Sequence, residues 1–286
     1  MKFRKVTSLD KLAELTQYIL LLAMLGYAGS SLAVVPQRIV NIVYPPDETI
    51  ASFSKVINAG RLQGTALADV YRERGIHYSD LGHYREAVAD FSNAIDLNSG
   101  YVTAYINRAN AYAKLEQYKA AYQDFTTAQE LSPNNPAIYA IRGSLNFLLG
   151  RFGDAVADYK YYLSLKPDDM YRMLWLHLSQ KYLDINKPSE LARYSQHMNL
   201  DVWPGALIKL YLGQVGAEDF LNAFKQNLNS MSSEYLCEGF YYLGQYFLLT
   251  GNKSLAADSF RQAVKSNARK VVEYEFALAY LARLGN

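Results

Sequence analysis

The sequence holds one cysteine, four histidines and no long uninterrupted apolar run among its 286 residues. A lone cysteine, Cys237, closes no intramolecular disulfide. Its setting, Tyr235-Leu236-Cys237-Glu238-Gly239-Phe240, reads as the start of an apolar helix, and no second cysteine or nearby base points to redox work. The histidines are His77, His83, His177 and His197, and none has a partner at metal-ligand spacing. His77 and His83 read as surface polar residues. There is no P-loop, no Gly-x-Ser-x-Gly and no Gly-x-Gly-x-x-Gly, so the reading contains no cofactor, no metal and no catalytic residue, and the chain is expected not to be an enzyme. A net charge of +2 is too small to imply a nucleic-acid partner. Half the residues are apolar and 20% are charged, which places the chain among globular proteins rather than disordered ones.

The N-terminus has the plan of a secretory signal. Lys2, Arg4, Lys5 and Lys11 precede an apolar run from Tyr18 to Ala28, followed by the small residues Gly29-Ser30-Ser31-Leu32-Ala33. The run is about 11 residues, short of the roughly 20 that a membrane span needs. Residues 1–33 are therefore expected to be a signal cleaved after Ala33, or else an uncleaved anchor extended to Val35. Cleavage would remove four basic and two acidic residues and bring the net charge from +2 to about zero. Residues 34–67 contain Pro36, Pro45 and Pro46 and read as an extended lead-in to a first helix near 49–62.

The abundant residue is tyrosine, with 25 copies. Catalysis needs no such number, whereas a repeat that reuses aromatic packing positions does. The chain matches itself at a spacing of 34 residues. Tyr71, Tyr105 and Tyr139 form one column, Arg74, Arg108 and Arg142 a second, and Gly75, Ala109 and Gly143 a third. Tyr84, Tyr118 and Phe152 follow, then Ala87, Ala121 and Ala155, then Phe91, Phe125 and Tyr159, and last Ser99, Pro133 and Pro167. These columns resemble the tetratricopeptide repeat, a 34-residue helix-turn-helix with a small residue where its helices cross and proline at its end. Segments 68–101, 102–135 and 136–169 fit, as does 237–270 through Phe240, Leu243, Gly244, Phe247, Ala256, Phe260 and Ala263.

The resemblance implies an all-α tetratricopeptide-repeat right-handed superhelix, an α-solenoid. Residues 170–236 read as two degenerate helical hairpins, the first pairing a Met173-Leu174-Trp175-Leu176 helix with one opened by Pro188-Ser189-Glu190-Leu191-Ala192. Residues 271–286 read as a capping helix. Asp90, Asp124 and Asp158 recur at the repeat spacing, so they read as scaffold. The arginine column is either a basic ladder for acidic partners or a set of ion pairs with these aspartates, and the ion pairs are the simpler reading. Asp168-Asp169 reads as a cap for the next helix.

The order of the pieces is similar to the NlpI family of bacterial envelope lipoproteins. It is borne by the Leu-Trp-Leu helix, Trp203-Pro204, Tyr211-Leu212-Gly213, Phe240-Tyr241-Tyr242-Leu243-Gly244-Gln245-Tyr246 and Val272-Glu273-Tyr274-Glu275-Phe276-Ala277-Leu278, across about 67–285. That resemblance implies a non-catalytic, often homodimeric periplasmic adaptor that binds proteins or peptides, linking a protease and peptidoglycan hydrolases. One departure bears on the lipid. Tyr27-Ala28-Gly29-Ser30-Ser31 has a lipobox-like shape, but Ser30 stands where cysteine would take the lipid. The other reading is a structural subunit of a pilus or secretion assembly machine, held in the membrane by its N-terminal segment.

Solenoids of this kind bind along the first helices of their repeats. The groove positions implied by the repeat family are Asp69, Arg72, Ile76, Ser79 and Asp80 in the first copy, and Thr103, Ile106, Asn110, Ala113 and Lys114 in the second. In the third they are Ala137, Ala140, Ser144, Phe147 and Leu148. Such a groove drifts from charged to apolar and suits a peptide with an apolar end. A clamp for a terminal carboxylate is not expected, because only Arg72 and Asn107 match it while Ile76, Ala137 and Ile141 do not.

Overall fold

The computed structural model describes residues 46–184, 189–227, 231–269 and 271–285. The expected signal, its cleavage site and the segment through residue 45 lie outside the described residues. Among the described residues there are fourteen helices and no strand. The described residues divide into two compact units, the first ending at Leu131 and the second beginning at Ser132.

The N-terminal unit contains α1 (Pro46–Asn58), α2 (Gly64–Asp80), α3 (Tyr84–Leu97), α4 (Val102–Lys114) and α5 (Tyr118–Leu131). Each helix packs on the next in chain order, and α2 also meets α4. The first helix starts and ends earlier than the sequence reading placed it. It stops at Asn58, and the chain turns through Gly60, whose φ of +63° is left-handed. Within each hairpin the turn falls on a left-handed residue: Gly82 at +78° and Glu116 at +60° here, and Gly150 at +74° in the next unit. The 34-residue period thus extends to a turn column, which glutamate fills at a cost of roughly 1 kcal/mol where glycine would fill it freely.

Two adjacent positions, a small residue and the arginine before it, lock the hairpins of the 34-residue columns. Gly75 faces Phe91 so closely that a Cβ on it would lie 2.7 Å from Phe91 Cε1. Gly143 bears the same relation to Tyr159 at 2.9 Å, and Gly244 to Phe260 at 2.6 Å. One residue earlier, Arg74 donates through Nε and Nη2 to both oxygens of Asp90, each at 2.7 Å. Arg108 grips Asp124 in the same way at 2.8 Å, and Arg142 pairs with Asp158 at 2.7 Å. Arginine and aspartate are 16 residues apart in every pair, so the register between first and second helix is the same three times. The ion-pair reading of the arginine column therefore holds.

The tyrosines complete these locks. Arg74 lies over the rings of Tyr71 and Tyr78 at 5.6 and 5.8 Å, and Arg108 over Tyr105 and Tyr112 at the same distances. Those rings stand three residues before and four after the arginine, on the same helix face. In the third copy Tyr139 takes the first place at 5.5 Å, while Asn146 takes the second and donates to Asp158 at 2.9 Å. Arg74 also donates to Ser54 of α1, and Arg108 to Ser92 of α3, which ties each hairpin to the helix before it.

The C-terminal unit contains α6 (Pro136–Leu148), α7 (Phe152–Leu165), α8 (Met170–Leu183), α9 (Leu191–Ser195) and α10 (Gly205–Tyr211). It continues with α11 (Ala217–Gln226), α12 (Ser233–Leu249), α13 (Lys253–Lys265) and α14 (Val272–Arg283). Asp169 caps α8 by accepting from the Arg172 amide at 3.0 Å, as the Asp168-Asp169 pair led one to expect. Every residue from Met173 to Ser179 is buried, so α8 is a central helix. The stretch after it is less regular than two hairpins: α9 has five residues and α10 seven. A central cluster of Phe147, Trp175, Tyr241, Tyr242, Phe260 and Phe276 fills the unit, each such side chain stabilising by about 1.5–3 kcal/mol relative to exposure.

The glycine contacts yield a stability test. Gly75→Leu forces a side chain against the Phe91 ring and should cost about 2–3 kcal/mol in urea unfolding. Gly75→Ala should cost less, since Ala109 fills the equivalent place in the second copy. An unchanged midpoint for the leucine variant would contradict this packing.

Candidate functional site

In the N-terminal unit, Asp69, Arg72, Ile76 and Ser79 form one stripe along α2, spaced by three or four residues. Thr103, Ile106, Asn110 and Lys114 form the matching stripe on α4. The adjacency of α2 and α4 sets the stripes side by side. Asp69, Thr103 and Asn110 are exposed, and Arg72, Ile76, Ser79 and Lys114 are half-buried. Ile106 differs: it is 3% exposed and belongs to the core, where its burial stabilises the fold in a way a groove position would forfeit.

Tyr101, immediately before α4, was not among the expected positions and organises one end of this face. Arg72 Nε donates to the Tyr101 hydroxyl at 2.7 Å, and that hydroxyl donates in turn to Asp69. Arg72 also pairs with its neighbour Glu73. Burial, together with the bond to Asp69, pushes the Tyr101 phenol up to about 12, so it stays a neutral donor. At the other end, burial pushes the Lys114 ammonium down to about 8. The face thus offers a held guanidinium, a weakly basic amine and exposed hydroxyl and amide groups.

The expected continuation of the groove in the C-terminal unit is differently built. Ala140 is buried, Leu148 is half-buried against the core, and Ser144 Oγ donates back to the Ala140 carbonyl at 3.0 Å. Phe147 is fully buried. Its ring packs against Phe152, Trp175 and Tyr182 at 5.0–5.6 Å and stacks on Phe276 of α14 at 6.3 Å. The expectation of an apolar groove wall at Phe147 gives way to a core position, because α14 covers the surface it would have lined.

Several of the remaining chemistry-bearing residues are buried. Burial pushes the Cys237 thiol up to about 12, which leaves it an inert buried thiol. His177 is buried, shares a 2.7 Å hydrogen bond with Ser189 Oγ, and is pushed by burial down to about 4, hence neutral. Nothing in its sequence neighbourhood marks that bond. His77 is half-buried beside Phe53, with ring centroids 5.5 Å apart, and His83 is exposed. Two carboxylates are buried in the C-terminal unit without having been singled out. Glu238 accepts from the Tyr171 hydroxyl and Trp203 Nε1, both at 2.8 Å, and burial nevertheless raises its pKa. Burial pushes Glu273, on the first turn of α14, up to about 7, with the Glu238 charge adding to the rise and Arg172 opposing it.

The architecture is that of an all-α solenoid of helix pairs, and it contains a tetratricopeptide repeat: that family's profile matches residues 102–135, the span of α4 and α5. Along most of its length the chain resembles one curated relative, the "Lipoprotein NlpI homolog" of Haemophilus influenzae. It is 27% identical to that protein over 267 residues, covering 91% of this chain and 83% of the relative. A tetratricopeptide repeat protein from Parabacteroides merdae has a similar fold, with a TM-score of 0.50 and 16% identity over 98% of this chain and 86% of that one.

The Glu273 environment sets a pH dependence. A carboxyl whose pKa rises from 4.5 to about 7 on folding is more protonated in the folded chain between those values. Its contribution is therefore fully present below about pH 4.5 and is lost as pH rises through 7. Glu273→Gln mimics the protonated form, so the variant should match the parent at pH 4 and exceed it by about 1–3 kcal/mol at pH 8. A stability difference that does not change with pH would contradict this.

Proposed function

We propose that the chain is a non-catalytic adaptor of the bacterial cell envelope that holds partner proteins or peptides against the α2–α4 face. The observation that supports it most is that face itself. Two stripes from successive repeats bring exposed Asp69, Thr103 and Asn110 together with half-buried Arg72, Ser79 and Lys114 on adjacent helices. Such a face offers hydrogen bonds and charge along a path that an extended segment can follow. It contains both signs of charge, so it suits a polar peptide with an acidic group near Lys114 rather than one with an apolar end. Asn110 and Lys114 supply side-chain donors at the C-terminal end of α4.

The signal-like segment through Ala33 and the resemblance to a lipoprotein support a place in the envelope, reached by export. With Ser30 where the lipidated cysteine would stand, the mature chain is soluble in the periplasm or held by its N-terminal segment. The order of its pieces favours a periplasmic protease and peptidoglycan hydrolases as partners and a homodimer as the assembly. Residues 34–67 then lead into three repeats at 68–169, two irregular hairpins at 170–236, a further repeat at 237–270 and a capping helix at 271–286.

A capture experiment from envelope extract tests this reading, with residues 34–286 as bait. Recovery of a protease or a murein hydrolase is expected, and an Asn110→Arg/Thr103→Glu variant, changed only at exposed positions, should recover at least tenfold less. Recovery of pilus or secretion subunits instead would replace the adaptor with the assembly-machine reading.

A further inference from the structure

In the C-terminal unit, α14 does more than end the stack. It packs beside α13, as the first helix of a further repeat would, and it also lies against α12. Phe276 reaches Trp175 of α8 at 5.1 Å and Tyr241 of α12 at 6.3 Å, and it stacks on Phe147 of α6. Tyr280 stacks on Tyr182 of α8 and Phe260 of α13, and Arg283 donates to the Leu148 carbonyl at the end of α6. One short helix thus covers first helices from separate repeats, the elements from which solenoids of this kind build ligand sites.

The fit beneath it is incomplete. Trp175 Nε1 and the Tyr241 hydroxyl are fully buried and have no hydrogen-bond partner. Phe276 packs on both of these rings and offers no acceptor. Glu273, on the same helix, is buried in the field of Glu238. Ordinary core packing leaves few such groups, since buried donors are nearly always paired. Two orphan donors under one helix describe a surface that a different helix would satisfy better.

We propose that the face formed by α6, α8 and α12 is a helix-receiving site, that α14 is its resident occupant, and that an amphipathic helix of another protein displaces it. The incoming helix carries aromatic residues four apart, as Phe276 and Tyr280 are, and between them a side-chain acceptor for Trp175 Nε1 or the Tyr241 hydroxyl. The site is separate from the α2–α4 face and stands or falls independently of it.

Hydrogen exchange on the full chain tests the proposal, with synthetic peptides of residues 271–286 as competitors. Excess peptide should speed exchange of the α14 amides at least tenfold while leaving the α8 amides unchanged. A peptide with Ala277→Gln should bind at least tenfold more tightly than the native sequence. In the chain itself, Arg283→Ala removes the contact with the Leu148 carbonyl and the guanidinium over the Tyr280 ring, and it should speed α14 exchange while leaving α8 exchange unchanged. If α14 exchanges at the rate of α12 and responds to neither peptide, it is an integral part of the core and the proposal is overturned. A doubled mass in solution with α14 exchanged between copies would also overturn it, because the occupant would then be a second copy of this chain.

Discussion

The paired arginine and aspartate between the helices of three successive hairpins set the terms for what is built on them. Asp90, Asp124 and Asp158 are 3–4% exposed, so each carboxylate has left water and depends on its guanidinium. Taking both charges out of solvent is costly, and well-packed apolar residues would often do as well for stability alone. A bidentate pair gives direction, however. It aligns two planar groups and allows one register between the helices, where the aromatic columns by themselves would tolerate a slip. Flanking tyrosines and the serines of the preceding helices hold the arginine in place, so the lock within one hairpin is also a link to its neighbour. The last repeat manages without it. Leu243 and Ser259 occupy the two positions, and Gly244 against Phe260 alone sets the crossing.

Because the locks lie between the helices, the opposite stripes of α2 and α4 are left to vary. That division of labour lets the N-terminal unit present Arg72, Asn110 and Lys114 without disturbing its core. The C-terminal unit uses the corresponding surface differently. Its first helices are rich in large rings, and α14 settles on them, which converts positions such as Phe147 from surface to interior. A protein built this way has one open polar face and one covered aromatic face, two surfaces with different ligand chemistry.

Much of this was legible in the sequence because it is periodic. The columns at a spacing of 34 residues located the hairpins, the small residues named the crossings that Phe91 and Tyr159 fill, and the recurring aspartates named the partners of the arginines. Asp169 was readable as a cap for a local reason: the bond it makes lies three residues away. What escaped is non-periodic and long-range. Arg283 meets Leu148 across 135 residues, and no local pattern announces that α14 would cover Phe147. Glu238 and Glu273 look like ordinary surface residues of amphipathic helices, and only the packed unit shows them buried. Tyr101 fell at the seam between two copies, where the neighbouring copies place Asn135 and Asp169, so it joined no column.

A double-mutant cycle at Arg108 and Asp124 addresses the lock most directly. Unfolding free energies of Arg108→Met, Asp124→Ala and the double variant give the coupling between the two side chains. If the pair sets the register, each single change should cost about 3 kcal/mol or more by stranding the other charge, and the coupling should reach about 2 kcal/mol. Additivity within about 0.5 kcal/mol would show that the two side chains act independently and that the aromatic columns alone hold the hairpin.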